Sequence, residues 1–245
     1  NRGSGQEHLT AIRSAVYTGS GACGEFSFLE DGIPIRPAGF CNVNNLFELN
    51  TEQAEAIEVW RGPASAVLGG NALHGAINVI TPVHSGFSVG LEGGPYDYYR
   101  TQLKGGKEIG EHAVGFSFVG TSSGGYRDDT GYGQQKFHVS HSTGVAQWNV
   151  RTQMTLTNLN QETGGYVRGE NSYSDDELRR TNPNPEAYRD AWSMRVNSEI
   201  SKDRWSIKPY LRRSSMAFLQ HFLPGQPLES NDQGSGGLLV NYDLQ

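Results

Sequence analysis

The sequence predicts a small mixed α+β domain followed by an antiparallel up-and-down β-sheet of the membrane-barrel kind. Three observations carry this. After Pro82 the chain switches to period-two alternation and holds it over about eight segments. The links between those segments alternate between short and long. The 82 residues ahead of them lack that period and read instead as hairpin, strand, short helix and strand.

The hairpin comes first. "EFSFLEDGIPIRP" sets Phe26, Phe28, Ile33 and Ile35 around Asp31-Gly32, a dipeptide suited to a tight primed turn. Counting outward from the turn, Cys23 and Cys41 fall almost opposite each other, just beyond the open end. A disulfide is expected there, worth about 3 kcal/mol in the chain-entropy model and pointing to an oxidising compartment. Two free buried thiols are the alternative. Neither cysteine has a Cys or His partner at zinc-like spacing, so no metal site is expected.

The strand–helix–strand unit follows. In "IEVWRGPASAVLGGNALHGAINVIT" (Ile57 to Thr81), Ala56–Trp60 reads as a strand. Gly62 permits a left-handed backbone, and Pro63 is placed to start a short helix over Ala64–Leu68. Gly69-Gly70 end that helix and Gly75–Thr81 is a second strand.

Beyond Pro82, "AQWNVRTQMTLT" puts Trp148, Val150, Met154 and Leu156 on one face and Asn149, Arg151, Gln153 and Thr155 on the other. "WSMRVNSEIS", "WSIKPYLRR" and "LLVNYDLQ" repeat the pattern, with weaker copies at 87–92, 99–105, 113–121 and 137–141. The links "EIGEH", "HSTG" and "SKDR" are short. "SSGGYRDDTGYGQQ", residues 160–190 and "PGQPLESNDQG" are long, and "GPYDY" is modest. Short turns at one end and long loops at the other mark a transmembrane meander. Trp148, Trp192 and Trp205 near strand ends suit interfacial girdles. A soluble sheet with one buried face alternates too. Two features favour the membrane: charges and amides fill the polar face strand after strand, and the strands approach the spanning length of about 9–11 residues.

Composition excludes other classes. A net charge of −6 gives no basic face for nucleic acid. No apolar run approaches the roughly 20 residues of a membrane helix. Both ends interrupt a pattern, so the chain is read as a piece of a longer protein. "GSGACG" fits a dinucleotide fingerprint but leads into a strand rather than a helix. "GFSVG" fits a nucleophile elbow, but its serine lies inside an alternating strand. His138 and His141 are three residues apart and so face opposite ways on a strand. Asp128-Asp129 and Asp175-Asp176-Glu177 read as solvated loop charge, and "SDDELRR" as a short loop helix capped by Ser174. No catalytic residue and no cofactor is expected.

"LEDGIPI" (Leu29–Ile35), followed by "IEVWRGPASAVLGGNALHGAINVIT" and preceded by "NRGSG", resembles the plug domain of TonB-dependent outer-membrane receptors. The resemblance covers residues 1 to about 82; 83–245 match as the first barrel strands. It implies a bacterial outer-membrane receptor that takes up a scarce solute, most often a ferric siderophore, without covalent chemistry. It implies TonB as partner, through a segment ahead of Asn1, and outer-membrane lipid around the strands. Such barrels have roughly 22 strands, and eight enclose too little space for a plug, so more strands are expected after Gln245. The plug arginines that pair with barrel carboxylates in the family correspond here to Arg2 and Arg61, with partners expected in the absent strands. For solute contact, the segment "RPAGFCNVNN" offers Arg36, Phe40, Asn42 and Asn44; a structural loop is the alternative. Tyr166, Tyr173 and Tyr188 are further loop candidates.

Overall fold

The computed structural model describes residues 12, 26–36, 43–64, 68–69 and 71–244. The chain divides into two compact units, 1–83 and 84–245, each with its own sheet.

The first unit contains β1 (Phe26–Glu30), β2 (Ile33–Pro34), β3 (Ala56–Arg61) and β4 (Gly75–Ile80) in the order β2-β1-β4-β3. β1 runs parallel to β4, and the other pairings are antiparallel. Asp31 (φ 51°) and Gly32 (φ 78°) both take the positive φ that a primed turn demands, as the hairpin reading expects. Phe26, Phe28, Ile35, Leu49 and Val79 pack into one core cluster, and Leu29, Ala72 and Ala76 into another. Two 3-10 segments, Val43–Glu48 and Thr51–Gln53, bridge β2 to β3 and bring Leu49 into that core. Among the described residues of the expected helix, the Leu68 N–H donates to the Ala64 carbonyl at 2.8 Å, and Gly69 (φ 92°) follows it.

The two sequence motifs of this unit bind each other. The Asp31 carboxylate accepts from the Thr81 N–H (3.0 Å) and the Thr81 hydroxyl (2.5 Å). The Asn78 side chain accepts from the Gly32 N–H at 2.9 Å and donates to Glu58 at 2.9 Å. The turn of "LEDG" is thus held by the asparagine and threonine of "NVIT", some fifty residues on.

The second unit is a meander of eight strands, each paired only with its sequence neighbours. They are β5 (Gly86–Gly94), β6 (Tyr98–Ile109), β7 (His112–Ser123), β8 (Tyr132–Val145), β9 (Trp148–Glu162), β10 (Tyr188–Lys202), β11 (Trp205–Leu219) and β12 (Leu228–Tyr242). At one end the turns are Gly110-Glu111, Ala146-Gln147 and Asp203-Arg204; at the other the links are 95–97, 124–131, 163–187 and 220–227. Two boundaries differ from the sequence reading. "HSTG" is ladder, not turn: β8 continues to Val145, opposite Trp148, and the reversal falls on Ala146 (φ 47°) and Gln147 (φ 73°). "LESNDQG" is likewise strand, paired with 213–219. In both places the outward residues are polar or small, so the strand continues where the greasy alternation stops.

Burial in this sheet is inverted. On β9, Gln153, Thr155, Thr157 and Gln161 are buried, whereas Met154 is only half-buried and Leu156 is 36% exposed. On β8, Lys136, His138 and Ser140 are buried, while Phe137 and Val139 between them are only half-buried. A soluble sheet buries its greasy face and wets its polar one. The reverse fits a sheet with lipid outside and a polar interior, and sets the soluble alternative aside.

The outward face also marks the membrane's limits. Trp148 and Trp205 begin their strands at the short-turn end, and Trp205 packs on Tyr242 with ring centroids 4.7 Å apart. Lys202 lies over the Trp148 ring and donates to Gln147 at 2.8 Å. Toward the other end, Asn158 donates to Gln135 (2.8 Å) and Asn160 (3.0 Å), and Asn160 donates to Asp190 (3.0 Å). Between Trp148 and that amide chain, β9 has the length of about 9–11 residues that a spanning strand needs. On the inner face, Gly106 and Gly115 stand opposite each other, and His84 crosses over them. A Cβ at Gly106 would lie 1.9 Å from the His84 carbonyl oxygen, so only glycine leaves room for the incoming chain.

Candidate functional site

The long links form one connected cap. The Gly124 N–H donates to the Tyr96 carbonyl at 2.8 Å, and the Tyr96 and Tyr126 rings meet edge to face at 5.3 Å. Arg180 sits over the Tyr126 ring at 5.8 Å, and its carbonyl accepts from the Asp128 N–H at 2.8 Å. Arg127 is the pin: its Nε donates to the Thr181 carbonyl (2.9 Å) and its Nη2 to the Gly165 carbonyl (2.7 Å). Burial pushes the Arg127 guanidinium below its usual range, and neighbouring Asp128 partly offsets that. Asn182 donates to the Asp129 carbonyl (2.9 Å), and Gln226 donates to the Glu186 carboxylate (2.7 Å), which ties in the last link. Four loops distant in sequence are thereby ordered together, with Tyr166 72% and Tyr173 75% exposed on the longest. Tyr188 belongs to β10, not to the loop.

That longest link holds two 3-10 turns, Ser172–Ser174 and Leu178–Arg180; the N-cap position of the second is Glu177, and the side chain that meets its first N–H groups is Asp175, not Ser174. The Asp175 carboxylate accepts from the Glu177 and Leu178 N–H groups at 3.0 and 2.9 Å; Ser174 instead donates back to the Asn171 carbonyl. Among the described residues no group of three or more His, Cys, Asp or Glu is placed to hold a metal ion.

The inner face below this cap is rich in cations. Lys104, Lys136, Arg151, Arg189, Arg195 and Arg212 all lie on it, buried or half-buried. Arg100 and Lys208, on the same face, pair with Glu92 (3.3 Å) and Glu199 (3.2 Å). Arg189 donates to the Gln161 amide, and its guanidinium lies over the Phe218 ring. His138 bonds Gln153 at 3.0 Å. At the short-turn end the same face carries a cavity of about 530 Å³, lined by Glu108, Ser142, Asn149, Arg151, Glu199 and neighbours. Inward carboxylates are therefore present in these strands as well as expected in absent ones. Ser88 of "GFSVG" sits mid-strand in β5, away from any strand-to-helix turn.

Of the residues singled out in the first unit, Arg36 is buried and ion-paired to Glu48, Nη2 to Oε1 at 2.5 Å. Its charge is already matched inside the fold. Arg61 ends β3 opposite Gly75 and is exposed. The backbone of Asn44 lies in the Val43–Glu48 segment. Arg2, Phe40, Asn42 and the Cys23–Cys41 pair lie outside the described residues. Sequence reasoning missed Arg127. Its only local signal is an arginine set between "GGY" and "DD" in a glycine-rich loop, and its partners lie 38 and 54 residues away.

Comparison with known proteins agrees with this architecture. Residues 2–76 match the family model described as the TonB-dependent receptor plug domain. No curated protein matches the chain. Among solved structures, the fold resembles the unliganded ferric citrate transporter FecA, with a TM-score of 0.74 at 15% identity, over 97% of this chain and 38% of that one. It resembles the siderophore receptor PiuA of Acinetobacter baumannii (TM-score 0.66, 16% identity, 91% of this chain and 36% of that one). It also resembles the ferric-catecholate import receptor Fiu of E. coli K12 (TM-score 0.64, 16% identity, 95% and 36%). The chain thus spans little more than a third of the length of these receptors.

Proposed function

The chain carries a TonB-dependent receptor plug domain followed by the strands of an outer-membrane barrel, and on that premise we propose that the whole protein imports a ferric chelate under TonB drive. The observation that carries this reading is the juxtaposition itself: a plug match over residues 2–76 ahead of a meander whose polar face is the buried one. A passive porin leaves the first unit without a purpose.

The substrate class follows from charge. A ferric chelate with anionic oxygens suits an inner face where Lys104, Lys136, Arg151, Arg189, Arg195 and Arg212 outnumber the carboxylates. The solved receptors of like fold are named for ferric citrate, ferric catecholates and siderophores, which favours iron over other nutrients. The exposed tyrosines of the loop cap meet the solute first. Phe40, Asn42 and Asn44 meet it from the plug side, with Arg36 anchoring the start of their loop through Glu48. Arg2 and Arg61 pair with inward barrel carboxylates, and Cys23 joins Cys41. TonB pulls on a segment ahead of residue 1. The protein moves its cargo without making or breaking covalent bonds.

The test is uptake of ⁵⁵Fe delivered as citrate, catecholate and hydroxamate chelates by a strain lacking its own receptors and expressing the full-length gene. Uptake of one class, abolished when TonB is deleted, is expected. Equal uptake with and without TonB would overturn the energised reading, and no uptake of any iron chelate would overturn the substrate class.

A further inference from the structure

His112 and His141 have no role so far, although His112 also borders the short-turn cavity. His112 is the first residue of β7, beside the Gly110-Glu111 turn, and His141 lies in β8. The register sets His112 opposite Thr143 and Val114 opposite His141, so the two histidines are diagonal neighbours on the outward face. Both are exposed. His112 Nδ1 lies 3.1 Å from His141 Nε2, and the rings are inclined by only 20° with centroids 5.2 Å apart.

We propose that His112 and His141 form a two-imidazole site for a divalent transition-metal ion at the short-turn rim of the barrel, clipping β7 to β8. Two imidazole nitrogens bound at about 2.0–2.1 Å to one ion stand about 2.9 Å apart at a right angle and about 3.4 Å apart at the tetrahedral angle. The observed 3.1 Å falls between these limits. In the bare pair one ring must donate a proton to the other; a metal ion takes the place of that proton and binds both lone pairs. The far nitrogens, His112 Nε2 and His141 Nδ1, then carry the N–H of each neutral ring. Hydrogen-bonded ladders on both sides of β7 and β8 fix the two Cα positions beforehand, so binding requires side-chain ordering alone.

Imidazole selects zinc, copper or nickel over calcium or magnesium. No third His, Cys, Asp or Glu joins the pair among the described residues, so water completes the shell and the site is open. Lys107 shares the outward face, opposite Val114, and gives the rim an anion-binding alternative. The nitrogen contact favours the metal, because an anion draws two donors toward separate oxygens rather than toward each other. The 29-residue separation of the pair hides it from any spacing rule for metal ligands.

The experiment uses the intact receptor in detergent, titrated with Cu²⁺ and read by electron paramagnetic resonance. Wild type is expected to bind one ion with two in-plane nitrogen couplings. His112→Gln and His141→Gln keep a hydrogen-bonding side chain but lose a ligand, and each should weaken binding at least tenfold. His221→Gln, among the long links, should leave it unchanged. A two-nitrogen signal that survives both substitutions, or wild-type binding no stronger than that of the double variant, overturns the site. As a second measurement on the wild type, Zn²⁺ should protect both histidines from diethylpyrocarbonate while inorganic phosphate does not. Equal modification with and without Zn²⁺, or protection by phosphate alone, overturns it too.

Discussion

Phe26 and Phe87 are the same residue type in strands of one chain, yet the first is 1% exposed and the second 69%. In the first unit the apolar side chains of β1 and β4 turn inward onto one another, as in any water-soluble core, while those of β3 stay exposed. In the second, most large apolar side chains turn outward, with Val119, Leu159 and Phe218 among the inward exceptions, and threonine, glutamine, lysine and arginine take most of the buried side. Alternation alone is common to both kinds of sheet; the surroundings of each face decide which is stable. A residue's worth therefore depends on which sheet holds it, and that dependence is measurable.

The sharpest contrast is truncation. Phe26→Ala removes a ring from a closed core and should cost about 3–5 kcal/mol, seen as loss of protease resistance in the first unit of the intact receptor. Phe87→Ala on the lipid side opens no cavity and should leave thermal unfolding in detergent nearly unchanged. Equal costs at the two positions would break the comparison. Next in size is charge. Leu156→Arg places a cation on the lipid face and should destabilise the barrel by about 2–4 kcal/mol, read as a smaller folded, heat-modifiable fraction on gels. Ser142→Arg, on the polar face near the short turns, should be far milder.

A third effect lies in the polar contacts that hold the first unit's turn. Asp31→Ala removes the acceptor for both the Thr81 N–H and its hydroxyl. The expected loss is about 1.5–3 kcal/mol, since the bonds involve a charged, partly shielded group. Proteolysis of residues 26–36 in the intact receptor would report it. Wild-type resistance would mean that the core alone holds the turn.

Much of this was legible in the sequence where local chemistry dictates structure. Asp31-Gly32 specified the turn, Gly62 the left-handed step and the period-two runs the strand faces. Legibility failed where the cause is remote. "HSTG" looked like a turn because of Gly144, but the reversal fell on Ala146 and Gln147, whose positive φ the neighbouring ladders enforce. β12 reaches back to Leu228 because β11 offers a partner, although Ser230 and Asp232 break the greasy pattern beyond the apolar band. Arg36 read as a solute contact or a structural loop residue, and its buried pairing with Glu48, twelve residues on, was not legible locally. Arg127 and the His112–His141 pair depend on strand register, which no single segment encodes.

Loop ties should be weaker than either sheet. Arg127→Ala cuts two bonds to carbonyls and should cost about 1–3 kcal/mol locally, leaving the barrel intact. Faster amide exchange confined to 124–131 and 163–187 is the expected sign. Exchange that spreads into β7 to β10 would show that the cap supports the strands.

The smallest effect is a pH response in the same cap. The Glu186 carboxyl is held below its usual range, first by a backbone N–H bond and then by the Gln226 amide. A carboxyl with a depressed folded value contributes in full above its unfolded value and loses that contribution as pH falls through the folded one. The tie between 163–187 and 220–227 should therefore hold at neutral pH and loosen at acid pH, below the ordinary carboxylate range. Protection of the 220–227 amides, compared between pH 6 and pH 3 at matched intrinsic exchange, should drop in the wild type. In Glu186→Gln it should be low at both values, because the amide carries no charge at either pH. A drop of equal size in that variant would assign the response to other loop carboxylates and detach Glu186 from it.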